Sequence, residues 1–212
     1  MKQSDKDAII QRYRDRLESH GQNIKALASG NEDRRAIRFK ILSEIGDLQG
    51  TRILDYGCGL SDFYAYLRDR NISCTYTGID IVPEFVNSSK ARFPENSYLC
   101  LDLQEENPFE KGNFDFIFCS QVFNNKLAEE PNETLIADMI PRLFQLATQG
   151  LAIDFVTKYV DYQEPHLNYY DPEKLFAFAK TLTKRVTLRH DYPLFEFCLF
   201  IYSDFSGWAG RK

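Results

Sequence analysis

The stretch Arg52-Ile53-Leu54-Asp55-Tyr56-Gly57-Cys58-Gly59-Leu60-Ser61 constrains this chain more than any other. Ile53-Leu54 reads as a short buried strand, closed by an acid and then by two glycines one residue apart. An amphipathic segment follows at once, with Phe63, Tyr64 and Leu67 at helical spacing on one face. Strand, glycine turn and helix in that order open a ligand crevice at the carboxyl end of a parallel strand. Gly57 and Gly59 can take backbone angles closed to other residues, and without a Cβ they let a ligand approach the main chain. The pattern is not the dinucleotide fingerprint, which needs a third glycine at its sixth position beside a pyrophosphate. Asp62 stands there instead, and its charge repels a diphosphate. Acids on both sides of the turn suit a ligand that carries hydroxyls and a positive charge.

Two amphipathic helices are expected ahead of this turn, over about 7–20 and 32–48, the second with Ile37, Ile41, Ile45 and Leu48 on one face. They should pack beside or over the crevice, with Tyr13, His20 and Arg38 within reach of a ligand. Beyond the turn, residues 74–81 form a β-rich run ending near Asp80, about twenty residues past the glycines, the offset at which an acid on a second strand meets a ribose. Pro83 then opens a helix, since proline is tolerated in a first turn. Residues 98–103 repeat the design with Asp102 at their end. One aspartate after a strand is often only a cap or turn former. Asp55, Asp80 and Asp102 in succession, beside Gly57 and Gly59, point to a site. A fourth strand over 114–120 empties into the polar loop Ser120-Gln121-Val122-Phe123-Asn124-Asn125-Lys126. A helix over 132–148 and a fifth strand over 151–156 follow. The tyrosine-rich stretch 157–171 has no regular period and is expected to be a lid. After a helix over 172–180, two β-like runs at 185–190 and 195–202 make an antiparallel hairpin.

The run Asp55-Tyr56-Gly57-Cys58-Gly59-Leu60-Ser61 resembles the first motif of class I S-adenosylmethionine-dependent methyltransferases, departing from it at Ser61, where many members carry a third glycine. The resemblance covers roughly 48–202. It implies an α/β, Rossmann-like, doubly wound fold: a mostly parallel seven-stranded sheet with a C-terminal antiparallel β-hairpin. Residues 1–48 would be a helical extension packed on the methyltransferase domain of 49–212. The cofactor would be S-adenosyl-L-methionine and the product S-adenosyl-L-homocysteine. On this resemblance Asp80 takes the ribose diol, and Asp102 accepts from the adenine amine between Ile81 and Leu103. Gly57, Cys58 and Gly59 meet the methionine end, Asp55 offsets its amino group, Arg38 takes its carboxylate, and Ser120 lies at the same edge. Oxygen and nitrogen nucleophiles can need a base, for which Gln121, Tyr170 and His190 are the candidates, with Asn124 and Tyr169 also at the crevice edge.

Composition narrows the acceptor. At 212 residues, 43% hydrophobic and 27% charged, the chain has the makings of one globular domain. Its net charge of -5 and pI near 5.3 disfavour a nucleic-acid partner, which wants a basic face. No Asn/Asp-Pro-Pro-Tyr-like run follows the fourth strand, and none of the five cysteines follows a proline, so the signatures of nucleic-acid amino- and cytosine carbon-5 methylation are missing. The cysteines form no Cys-x-x-Cys pair, which favours reduced core thiols over disulfides or a metal site. The charged N-terminus and the lack of a long apolar run predict a cytoplasmic protein without a membrane span. A small-molecule acceptor is the leading expectation. The alternatives are a protein or RNA acceptor, a non-catalytic S-adenosylmethionine-binding protein and, disfavoured by Asp62 and the hairpin, a nicotinamide-dependent oxidoreductase.

Overall fold

The computed structural model describes residues 1–27 and 31–203. Two helices, α1 (Gln3–His20) and α2 (Glu32–Ser43), precede an alternating series. It runs β1 (Arg52–Tyr56), α3 (Asp62–Arg68), β2 (Thr75–Asp80), α4 (Pro83–Arg92), β3 (Ser97–Cys100) and β4 (Phe114–Cys119). A 3₁₀ turn at Val122–Asn124 leads to α5 (Asn132–Leu146), β5 (Ala147–Val156), α6 (Pro172–Leu182), β6 (Val186–Arg189) and β7 (Glu196–Tyr202). The sheet order is β3-β2-β1-β4-β5-β7-β6. β7 alone runs against its neighbours, pairing antiparallel with both β5 and β6. The chain winds outward from β1 to β3, then returns to the other side of β1 with β4. That reversal is where an open α/β sheet leaves a crevice beyond its strand ends.

The central strands are apolar because both sheet faces are covered. Ile53, Leu54, Ile117, Phe118, Leu151, Ile153 and Phe155 have no exposed surface, and each such Leu or Ile is worth about 1.5–3 kcal/mol of burial. One face packs on α5 and α6 through Ile136, Met139, Ile140, Leu143, Leu175 and Ala179. The other packs on α2, α3 and α4 through Phe39, Leu42, Phe63, Leu67 and Val86. The first helix lies at the crevice edge, where its Ile9 also touches the α5-side cluster. Its Ile10, Tyr13 and Leu17 lie on Leu60, Val82 and Phe85 at the crevice edge.

The doubly wound fold is the one expected, with several shifted boundaries. The second helix stops at Ser43, although Ile45 and Leu48 remain core residues. A Cβ on Gly46 would come 2.8 Å from the Phe116 ring, so the chain passes close to β4 there. β3 ends at Cys100, opposite Asp80 in β2, which leaves Asp102 in the following turn. The 157–171 stretch does not cross the crevice. None of its residues lines the crevice, and it is tied to the end of β5, where the Lys158 and Tyr170 amides bond to Tyr170 O and Val156 O at 2.8 and 2.9 Å. The Asn168 amide donates to Asn124 O at 2.9 Å. Among the described residues, no helix is long and apolar enough to cross a membrane.

Candidate active site

The crevice at the β1/β4 reversal encloses about 1220 Å³ of empty space, counting its open mouth. Its floor is the turn after β1. Gly57, Gly59 and Ser61 all take positive φ, at 76°, 52° and 57°. A Cβ on Gly57 would sit 2.4 Å from Val122 Cγ2, so the loop after β4 closes directly onto this glycine. The Gly57 and Cys58 amides both donate to Ile79 O, at 2.8 and 3.0 Å, which pins the turn to β2. Ser61 occupies its left-handed position with the help of its side chain. Its hydroxyl donates to Ser89 Oγ at 2.9 Å, and Ser89 Oγ donates to Gly59 O at 3.0 Å.

The three acids stand around this turn. Asp55, deep in β1, accepts from the Tyr76 hydroxyl at 2.5 Å. Burial pushes its carboxyl up to about 7; the Tyr76 hydrogen bond opposes that rise, and Asp80 and Asp62 add to it. Asp80 closes β2 and accepts from the Gly59 and Val82 amides, both at 2.9 Å. Burial lifts it to about 6 against those backbone donors. The Asp102 carboxylate accepts from the Gln104 amide at 2.9 Å and lies 3.4 Å from Lys6 Nζ on α1. Ile81 lines the crevice beside it. Leu103 does not: it is 2% exposed and belongs to the core under α5, and Leu101 faces the crevice in its place. The strand is shorter than the apolar run that encodes it, so the chain turns before Leu103.

The opposite wall is built from strand ends on the other side of β1. Asp154, near the end of β5, is 1% exposed and gathers the loop after β4. Ser120 Oγ donates to its Oδ2 at 2.9 Å, while the Gln121 amide and Nε2 both donate to Oδ1 at 2.8 Å. Gln121 is held at φ +62° to do so. Burial raises the Asp154 carboxyl to about 6, with Arg38 opposing and Glu196 adding to the shift. Arg38 of α2 is 3% exposed and lines the crevice. Its Nε and Nη2 donate to Glu196 at 2.8 and 2.6 Å, its Nε lies 3.9 Å from Asp154, and its buried Nη1 has no hydrogen-bond partner among the described residues.

Of the candidate bases, only Gln121 lines the crevice. His190 is exposed at the end of the hairpin, beside Tyr159 and Phe197. Tyr170 is buried, its hydroxyl donating to Phe123 O at 2.5 Å, and burial pushes its pKa well up. The Tyr169 hydroxyl accepts from the Glu164 amide and the Asn124 Oδ1 accepts from the Val156 amide, so both serve the backbone rather than the crevice. His20 ends α1, exposed. Among the described residues, no group of His, Cys, Asp and Glu is placed to hold a metal ion.

The roof comes from α1. Ile9 and Tyr13 line the crevice, and Tyr13 meets Phe85 edge-on at 5.5 Å. Asp5 accepts from the Ala128 and Glu129 amides at 2.7 and 3.2 Å, and Arg14 bonds Glu84 at 2.7 Å. Sequence reasoning also missed Arg35, one turn before Arg38, which lines the crevice and pairs with Asp62. Its signal was the shared helix face.

Comparison with known proteins agrees with this geometry. A family model described as "Methyltransferase domain" matches residues 54–137. A curated relative from Mycobacterium tuberculosis, named "Putative methyltransferase Rv1506c", is 30% identical over 157 residues, covering 70% of this chain and 91% of the relative. Magnesium protoporphyrin IX methyltransferase from Synechocystis, solved with bound SAH, superposes with a TM-score of 0.64 at 15% identity, covering 93% of this chain and 99% of that one. A SAM-dependent methyltransferase from Leishmania major gives 0.68 at 11% identity, covering 93% and 82%.

Proposed function

The chain belongs to the class I S-adenosylmethionine-dependent methyltransferases, and from that premise we propose that it methylates an oxygen or nitrogen nucleophile of a small molecule. The observation that carries this reading is the roof: α1 is bonded across the crevice mouth at Asp5, Lys6 and Arg14. A folded protein or an RNA strand needs an open groove beside the reacting methyl group, whereas a small molecule can be enclosed.

The residues present fit the cofactor. Gly57 and Gly59 line the crevice at positive φ, where Val122 and Leu27 leave no room for a Cβ, so the turn presents main chain to the methionine end. Arg38 Nη1 is a buried donor with no acceptor of its own. In our reading Asp80 keeps lone pairs for the ribose diol beyond its two backbone donors, and Asp102 accepts from the adenine amine between Ile81 and Leu101. Asp55 offsets the amino group, and Arg38 Nη1 donates to the carboxylate. Cys58 contributes main chain, and Ser120 stands at the edge where the methyl group leaves.

When bound, the cofactor supplies an already activated methyl group on a sulfonium. The chain's own work is then to orient, to exclude water and to hold charge. The Asp154 carboxylate fixes Ser120 and Gln121 by three hydrogen bonds, so the wall facing the nucleophile is rigid before a ligand arrives. The test is a turnover assay with methyl-tritiated S-adenosylmethionine against a cell extract split at about 3 kDa. Label entering a small-molecule product that separates chromatographically from the cofactor is expected. Label confined to protein or RNA would replace the small-molecule reading, and cofactor binding without transfer to any fraction would favour a non-catalytic binder.

A further inference from the structure

We propose that Glu196, on the antiparallel strand β7, is a positioning residue that makes the site selective for a cofactor bearing its carboxylate. The inference rests on the assignment of Arg38 to that carboxylate, and it concerns how the guanidinium is aimed. Arginine has a planar fork whose nitrogens cannot be turned independently. Glu196 takes Nε and Nη2 with both its oxygens, so the direction of Nη1 is set by the plane of that bidentate pair. Rotation about the last side-chain bonds is blocked without breaking two charge-assisted hydrogen bonds.

Among the described residues, the neighbouring groups leave Nη1 without a hydrogen-bond partner. Asp154, the other carboxylate near the guanidinium, has both oxygens taken by Ser120 and Gln121 and approaches Nε only at 3.9 Å. Arg35, the next cation on the helix, is spent on Asp62 and Glu32. Arg38 lines the crevice, so the free Nη1 is a donor that the protein itself leaves unused there. A buried donor left unmade is costly, and a ligand carboxylate in the crevice removes that cost. A ligand without one leaves it standing. The partners lie 158 residues apart in sequence, joining α2 to the last strand, so the clamp exists only once the sheet is complete.

The experiment is calorimetric titration of the full-length protein with S-adenosylmethionine, decarboxylated S-adenosylmethionine and 5′-methylthioadenosine. Wild type is expected to bind the carboxylate-bearing cofactor about tenfold or more tightly than its decarboxylated form, the scale of one charge-assisted hydrogen bond. E196Q should lose most of that preference while binding decarboxylated S-adenosylmethionine and 5′-methylthioadenosine as wild type does, and E196D should recover part of it. Replacing the pair together, as R38M/E196M, avoids leaving an unpaired buried charge and should abolish the preference. An equal loss for all three ligands in E196Q, or full retention of the preference, would overturn the positioning role. Should E196Q fail to fold, equal wild-type affinity for the two sulfonium ligands would overturn it alone. If wild type binds none of the ligands, the assignment of the cofactor site fails instead.

Discussion

The two walls of the crevice hold carboxylates by opposite means. On the β1–β3 side, Asp80 is met mainly by backbone amides and Asp55 by a single hydroxyl, so both keep acceptor capacity toward the crevice. On the β4–β5–β7 side, Asp154 and Glu196 are consumed by Arg38, Ser120 and Gln121. The first wall is an unfinished set of acceptors that a cationic, hydroxyl-bearing ligand completes. The second is a finished network with one donor left over, Arg38 Nη1. One wall binds by lacking partners and the other by having them arranged, and substitutions should therefore act differently on the two.

The largest effect is expected at Asp80. Asp80→Ala should weaken S-adenosylmethionine binding by about 100-fold or more, since a bidentate diol contact and the local negative charge go together. The fold should persist, because the two lost bonds are to the turn amides of Gly59 and Val82 and not to the strand ladder, and Asp80→Asn, which keeps an acceptor for one of them, is the conservative control. Calorimetry paired with a thermal melt checks both halves. A cooperative melt with unchanged affinity would remove Asp80 from the ribose site.

Next comes the energetic consequence of unfinished acceptors. Asp55 and Asp80 are lifted from 3.8 to about 7 and about 6 by burial, and Asp154 to about 6. Below pH about 4 these groups are protonated in the folded and unfolded chain alike. As pH rises from about 4 through about 7, the unfolded chain loses its protons first, so the folded ligand-free protein is destabilised over that window, by about 3–4 kcal/mol for each group at roughly 1.4 kcal/mol per unit of pKa rise. Melting of the ligand-free protein should thus be lower at pH 8 than at pH 5.5, and D55N should flatten the difference. A melting temperature that climbs between those pH values contradicts the account.

These effects trace to residues whose place was readable from the chain. Asp55, Gly57, Gly59 and Asp80 lie within one strand-turn-helix-strand unit, and Asp80 is only 21 residues from the glycine it bonds. Local order carries that information. Leu101 replaced Leu103 at the crevice because an apolar run fixes that a strand exists, not where its pairing with β2 stops. Glu196 was unreadable as a partner for Arg38 at 158 residues' distance. The aromatic composition of 157–171 suggested a lid, yet the roof is α1, whose contacts are set by tertiary packing of a helix with charges on most of its surface.

A smaller effect separates those two segments. Adding S-adenosylhomocysteine should slow hydrogen exchange in α1 several-fold, because its latches at Asp5, Lys6 and Arg14 span the crevice. Exchange in 157–171 should stay unchanged, as its amides bond to the 3₁₀ turn and β5 rather than to crevice residues. Ligand protection appearing in 157–171 and absent from α1 would restore the aromatic lid.

The smallest effect concerns Ser61, where the turn departs from the glycine common in this family. At φ +57° a side chain costs about 1–2 kcal/mol relative to glycine, and the Ser61–Ser89–Gly59 hydroxyl chain returns about 1 kcal/mol per hydrogen bond. Ser61→Gly removes the cost and the Ser61–Ser89 bond together, so its stability should stay within about 1 kcal/mol of wild type. Ser61→Ala keeps the strained backbone and loses the Ser61–Ser89 bond, and should be the less stable of the two by about 1–2 kcal/mol. Urea melts of the pair measure the difference directly. If alanine equals glycine there, the hydroxyl chain is not what lets serine hold the left-handed position.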